Sequence, residues 1–299
     1  MDLLTAMQVA EAGRARGCDS VCITGQGEPA FWTHLIPFIL GCKSIGMAVR
    51  IITSGTSPLE KYEAFYDAGL NHILLSLNGI GKTQDMVSGI PGTWLKQEKL
   101  LLWLNRNNLD WRSNTTIQML NYKELPTIAE LSIQYGAYHV CIIGFLPHYE
   151  WDAVKLREVA VNPITARPYA EEAIYRCNLK NVWVQLKYHP MCHISPEYRK
   201  YVSNANNVLL DNGEWDYGHA GDSDEALKQA CVKFGAQFGI SGSPCCDCSL
   251  FVHCGGWNKT MADGFSGAGL TAIRETCPSD FGYYWYQNPF NVYDGRTRK

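Results

Sequence analysis

Along the first 188 residues, short apolar runs alternate with longer segments whose apolar residues recur at helical spacing. A compact apolar run reads as a buried strand, and a 3.6-residue recurrence reads as a helix with one face turned to a core. The pattern predicts helices over 3–16, 31–41, 59–68, 94–107, 125–135 and 163–177. It predicts strands over 20–24, 49–53, 72–77, 110–120, 138–145 and 181–186. Gly69 supplies the expected C-terminal stop of the third helix. This alternation implies an α/β fold of parallel strands joined by right-handed crossovers, with ligands at the carboxyl ends of the strands. After Lys187 the rhythm is lost. Short strands are expected at 208–210 and 214–217, a helix at 224–238, a Gly-rich stretch at 264–269, a short helix near Thr271 and an aromatic tail at 283–286. A domain boundary is therefore expected near residue 188, dividing the chain into 1–188 and 189–299.

Composition narrows the class. With 46% hydrophobic and 18% charged residues, the 299-residue chain has the make-up of a folded protein rather than a disordered one. A net charge of −3 gives no electrostatic footprint for nucleic acid or an anionic membrane. The longest apolar run, 31–42, is interrupted by His34 and Pro37 and is too short to span a bilayer. No signal-peptide pattern opens the chain, so a cytoplasmic setting is expected. In a reducing compartment, twelve cysteines point to metal rather than disulfides. Five of them sit in apolar stretches: Cys18, Cys22, Cys42, Cys141 and Cys231 read as buried small hydrophobes. His148, His189, His193 and His253 lack ligand-pair spacing and read as hydrogen-bonding or surface groups.

Two places carry chemistry. The first is the set of strand ends. The strand ending at Thr24 runs into Gly25-Gln-Gly-Glu-Pro29, where two glycines let a ligand approach the backbone and Glu28 adds a carboxylate. The next strands end in Thr53-Ser-Gly-Thr56, in Ser76 with Asn78-Gly79, and in Asn114-Thr-Thr116. Together they outline a polar ligand site at the mouth of a curved sheet. The second place is the thiol group Cys245, Cys248, Cys254 and the more distant Cys277. Two, five and twenty-two residues separate successive members. Soft thiolates in fours suit iron–sulfur or zinc. Adjacent Cys246 is an alternative to Cys245.

The strand-end set resembles the radical S-adenosylmethionine superfamily over residues 1–188. The Gly25-to-Pro29 turn is similar to its glycine–glutamate–proline motif, which contacts the amino group of the methionine moiety. Thr53-Ser-Gly-Thr56 is similar to the family's strand-three end, Ser76 and Asn114 fall where the family often places ribose or carboxylate contacts, and residues 142–145 resemble its sixth strand, near adenine. The resemblance implies a partial (β/α) barrel and S-adenosylmethionine bound by Gly25, Gly27, Glu28, Ser54, Ser76 and Asn114. The cysteine group resembles the C-terminal SPASM extension of superfamily maturases that act on peptides. It implies an auxiliary four-iron four-sulfur (4Fe-4S) cluster on Cys245, Cys248, Cys254 and Cys277, with zinc the alternative occupant. Asn258 stands where the family has a further cysteine, which implies that the extension's other cluster is lost, leaving Cys192 as its one remaining candidate ligand.

One departure is larger. The family's cysteine triad, with spacings of three and two, occurs nowhere: Cys18 and Cys22 keep the first spacing, but Gly25 stands in the third position. Two readings follow. One is a peptide- or protein-modifying enzyme whose triad lies upstream of Met1, this chain by itself performing no radical chemistry. The other is a non-catalytic degenerate barrel with a zinc or cluster module that binds a peptide.

Overall fold

The computed structural model describes residues 1–25, 27–147, 152–204 and 244–276. The short strands and helix expected within 208–238, the aromatic tail, His148, Cys231 and Cys277 lie outside the described residues. The chain folds as two compact units. Among the described residues the first comprises 1–114 and 134–138, and the second comprises 115–133, 139–204 and 244–276.

In the first unit, strands β1 (Ser20–Ile23), β2 (Ala48–Thr53), β3 (His72–Ser76) and β4 (Trp111–Thr116) pair in sequence order, and every pairing is parallel. Helix α1 (Leu3–Ala15) precedes β1, and α2 (Leu35–Ser44), α3 (Leu59–Ala68), α4 (Lys82–Ser88) and α5 (Thr93–Arg106) lie in the connections. Ile51, Ile73, Leu75, Leu101 and Leu104 are fully buried and weld helices to sheet. Burying each such side chain stabilises the fold by about 1.5–3 kcal/mol. Helix α3 ends at Gly69, whose φ of 108° is left-handed backbone that a side chain would strain.

In the second unit, β5 (His139–Ile143), β6 (Trp183–Lys187) and the two-residue β7 (Val202–Ser203) are again parallel and in order. Helices α6 (Leu125–Gln134), α7 (Ala153–Val159) and α8 (Pro163–Leu179) accompany them. Ala166, Ala170, Ala173, Ile174 and Cys177 form the buried stripe of α8. Two short helices, Phe251–Cys254 and Lys259–Gly264, follow the cysteine loop. Among the described residues no helix is long and apolar enough to cross a membrane.

Several expected elements differ. The helix expected over 31–41 resolves into a 3-10 turn, Pro29–Phe31, and then α2, which starts late enough to place Pro37 in its first turn, where a missing N–H is harmless. The strand expected over 110–120 stops at Thr116, because Asn121 donates to the Thr116 carbonyl and accepts from the Gln118 amide, turning the chain. The expected helix near Thr271 is irregular chain; the helix there is Lys259–Gly264 instead. Helices α4 and α7, unforeseen in the sequence, have seven residues each.

Candidate functional site

The strand ends of the first unit are organised by one carboxylate. Glu28 caps the 3-10 turn by accepting from the Ala30 amide at 3.2 Å. It reaches the end of β2 as well, accepting from the Ser54 amide at 2.7 Å and from the Thr53 and Ser54 hydroxyls. Thr53 Oγ1 in turn pairs with Tyr62 Oη at 2.9 Å, and burial pushes the Tyr62 phenol up to about 12. The structure thus places Glu28 as the clamp that holds the Gly25–Gly27 turn to β2.

The turn is left open. Gly25 and Gly27 are exposed, and a Cβ at either would meet nothing within 4 Å, so a ligand can reach their backbone groups. Ser76 and Asn114 are direct partners in the β3–β4 register, and the β2–β3 register, Thr53 to Leu75, leads on to Ser54 beside Ser76. Ser54, Ser76 and Asn114 therefore form one row across three strands. Gln97 of α5, wholly buried, ties this row together: its Nε2 donates to the Ser54 carbonyl at 2.7 Å and to the Ser76 carbonyl at 3.0 Å. Its position in the α5 stripe with Leu100, Leu101 and Leu104 was the one sequence signal that it faces inward. Asn114 Oδ1 is buried without a hydrogen-bond partner, which leaves an acceptor able to bind a donor.

The second unit holds the thiols. Cys245 and Cys248 lie one tight turn apart, the Cys248 amide donating to the Cys245 carbonyl at 3.2 Å. Cys254 ends the helix Phe251–Cys254, and Gly255 stops that helix at a φ of 70°. All three line one small pocket, together with Cys192 from the 3-10 turn Met191–His193. Cys246 is exposed and is not among the lining residues. The Met191 amide donates to Cys254 Sγ at 3.4 Å and the Ile273 amide to Cys248 Sγ at 3.4 Å. Asn204 Nδ2 lies 3.7 Å from Cys254 Sγ. Burial pushes the Cys254 thiol up to about 12. Among the described residues no three His, Cys, Asp or Glu side chains converge as a single-ion site.

For the histidines the surface alternative falls away. His189, His193 and His253 are all buried rather than at the surface. Burial pulls His189 down to about 3 and His193 to about 4, so both are neutral at physiological pH. His189 lines a second small pocket with Ile117, Gly144, Tyr188 and Trp257, and its Nε2 has no hydrogen-bond partner. Gly144 is required there, because a Cβ would meet the Tyr188 carbonyl oxygen at 2.5 Å.

Cys18 and Cys22 do not form part of a ligand loop. Cys22 lies half-buried in β1, and Cys18 is exposed after α1 rather than buried as expected. With Gly25 in the third position, the residues present do not fit the cluster that cleaves S-adenosylmethionine.

Parallel strands, connecting helices and a polar row at the strand ends define an S-adenosylmethionine-type partial barrel. Comparison with known proteins agrees. The chain is 28% identical over 175 residues, or 58% of its length, to the PqqA peptide cyclase of Methylocella silvestris, of which the match covers 45%. It thus spans less than half the length of the curated relatives it matches. In fold it is similar to SuiB of Streptococcus suis bound to S-adenosylmethionine, with a TM-score of 0.63 at 13% identity, covering 92% of this chain and 70% of that one. SuiB bound to its precursor peptide SuiA gives a TM-score of 0.57 at 14% identity, covering 93% and 69%. No family model matches. The sequence likeness to PqqA peptide cyclases and the shared fold support a relationship to the radical S-adenosylmethionine superfamily, whose cofactors are S-adenosylmethionine and a four-iron four-sulfur cluster.

Proposed function

We propose that the chain binds S-adenosylmethionine at the strand ends of its first unit and takes part in modifying a peptide or protein side chain by hydrogen abstraction. The methionine end of the cofactor sits over the Gly25–Gly27 turn, and its polar groups meet the Ser54–Ser76–Asn114 row. Glu28 keeps that turn in place. The observation that carries the reading is this row beside an open glycine turn, in a chain similar in sequence to a peptide cyclase. S-adenosylmethionine supplies the hydrogen-abstracting radical only when a cluster delivers an electron to it. The residues present do not hold that cluster, so this chain alone is expected to bind the cofactor without cleaving it.

The second unit supplies an auxiliary cluster. Thiols with backbone amides aimed at their sulfurs fit iron–sulfur chemistry, because N–H donors stabilise thiolate and tune the bound iron. Cys245, Cys248 and Cys254 are three of its ligands, and spacing nominates Cys277 as the fourth. Residues 189–299 form this SPASM-like module and residues 1–188 the partial barrel, in a cytoplasmic protein without nucleic-acid or membrane partners. Equilibrium dialysis of the purified chain against labelled S-adenosylmethionine tests the barrel reading. Saturable binding, weakened at least tenfold by Gly27→Val, is expected; absence of binding by the unaltered chain refutes it. Zinc without iron after anaerobic reconstitution would replace the cluster reading.

A further inference from the structure

We propose that His189 is a specificity-determining residue: its Nε2 accepts a hydrogen bond from an uncharged hydroxyl, carried on an apolar group of the peptide substrate, in the small pocket at the ends of β4, β5 and β6. The inference rests on the peptide-modification reading and deepens it, by naming the chemistry of a group that the substrate presents.

The pocket lies wholly in the second unit. Ile117 follows β4, Gly144 follows β5, and Tyr188 and His189 follow β6, so three neighbouring strands deliver their carboxyl ends to it. Ligands of parallel α/β sheets bind at such ends. Trp257 and Met261 wall it from the segment after the cysteine loop. No Asp, Glu, Lys or Arg is among its lining residues. A carboxylate or an ammonium would therefore enter without a compensating charge, which is costly. An uncharged group escapes that penalty.

The acceptor is single and defined. His189 is 1% exposed, and its Nε2 is buried without a hydrogen-bond partner. A main-chain hydrogen bond with His193 favours the protonated ring, the direction that donation to a carbonyl gives. The ring proton therefore sits on Nδ1 and the lone pair on Nε2. Burial pulls the imidazole down to about 3, so it takes no proton from a hydroxyl near neutral pH and serves only as an acceptor. A histidine used merely as filler gains nothing from a bare acceptor, because a buried unpaired polar atom costs stability.

The backbone holds that lone pair in place. Asn204 grips His189 from both sides, accepting from its amide at 2.9 Å and donating to its carbonyl at 2.8 Å. Tyr188, just before it, has a φ of 54°, left-handed backbone that a side chain strains. The Tyr188 amide donates to the Ser203 carbonyl at 3.3 Å, and Gly144 leaves room for the Tyr188 carbonyl. Strain of this kind persists only where the surroundings over-determine it, and it gathers at ligand sites.

The test uses phenol as the probe and benzene as its match without the donor, on the full chain carrying isotopically labelled histidine. Phenol should bind saturably and move one unprotonated imidazole nitrogen resonance upfield, a resonance missing from His189→Gln. Benzene should bind at least tenfold more weakly, since it leaves Nε2 buried and unpaired. In His189→Leu the advantage of phenol should vanish, with circular dichroism checking the fold. If that variant does not fold, the phenol-to-benzene ratio and the nitrogen shift in the unaltered chain still decide. Equal affinity for the two probes, phenol binding without a nitrogen shift, or no binding of either overturns the proposal. A preference for phenol kept in folded His189→Leu overturns it too. None of these readouts involves S-adenosylmethionine. Failure of the cofactor to bind would remove the peptide-modification reading, while a positive phenol result would leave the hydroxyl site standing.

Discussion

The strand-end row and the thiol cavity are both built to meet a ligand, but they are held in opposite ways. At the strand ends nearly every polar group is satisfied from within: Glu28 takes four hydrogen bonds, and Gln97 bridges two carbonyls. That region is pre-shaped and leaves open the glycine turn and the Asn114 Oδ1 acceptor. At the thiol pocket the Met191 and Ile273 amides donate to cysteine sulfurs, and the metal proposed above would complete the arrangement. The difference teaches that a barrel mouth can fold first and bind later, whereas a thiol site draws part of its folding energy from the metal itself.

The largest expected effect breaks the comparison if it is absent. Removing iron from the reconstituted chain by chelation should speed hydrogen exchange at 189–193 and 244–276 by about a hundredfold, with β1–β4 unchanged. Equal loosening in both regions would show that they do not differ in this way. Next in size, Glu28→Ala should lower stability in urea by about 2–3 kcal/mol, since several partners lose their acceptor together. Glu28→Gln, which keeps one acceptor, should lose about half of that. No change in either variant would remove Glu28 as the clamp.

The smallest effect concerns pH. His189 and His193 stay neutral in the fold down to about 3 and 4. In the unfolded chain they take up protons near pH 6.5, so the unfolded state binds more protons across that interval and stability falls as pH drops below 6.5. Between pH 7.5 and 5 the urea midpoint should decrease by an amount worth about 1–2 kcal/mol per histidine. His189→Gln should remove its share of the slope, and an unchanged slope would argue against a neutral buried imidazole.

Much of the fold was legible where periodicity and punctuation agreed. Helix α3 over Leu59–Ala68, closed by Gly69, is the clearest case. Helix α4 was not legible, because Lys82–Ser88 carries no apolar stripe and buries Gln84, whose side-chain carbonyl accepts from the Asn78 amide at 2.7 Å. Its exit is fixed by Asp85 accepting from the Gly92 and Trp94 amides, a cap that no hydrophobic pattern reports. Of the candidate sites, Ser54 and Ser76 were readable because they close apolar runs, whereas Asn114 follows the polar pair Arg112-Ser113. Cys192 was visible only as a leftover thiol, since what brings it to Cys245, Cys248 and Cys254 is tertiary closure. Gln97 was hidden for the same reason: its partners are backbone carbonyls of strands distant in sequence.

Asn204 deserves a last inference of a different kind. Its side chain accepts from the His189 amide at 2.9 Å and donates to the carbonyls of His189 at 2.8 Å and Cys254 at 2.7 Å. These partners are main-chain groups, so they persist whatever side chains occupy positions 189 and 254. Over evolutionary time the histidine and the cysteine can therefore be exchanged without dismantling the frame, but the asparagine cannot. A descendant that abandoned its metal would be expected to keep Asn204, a scar marking where the thiols had stood.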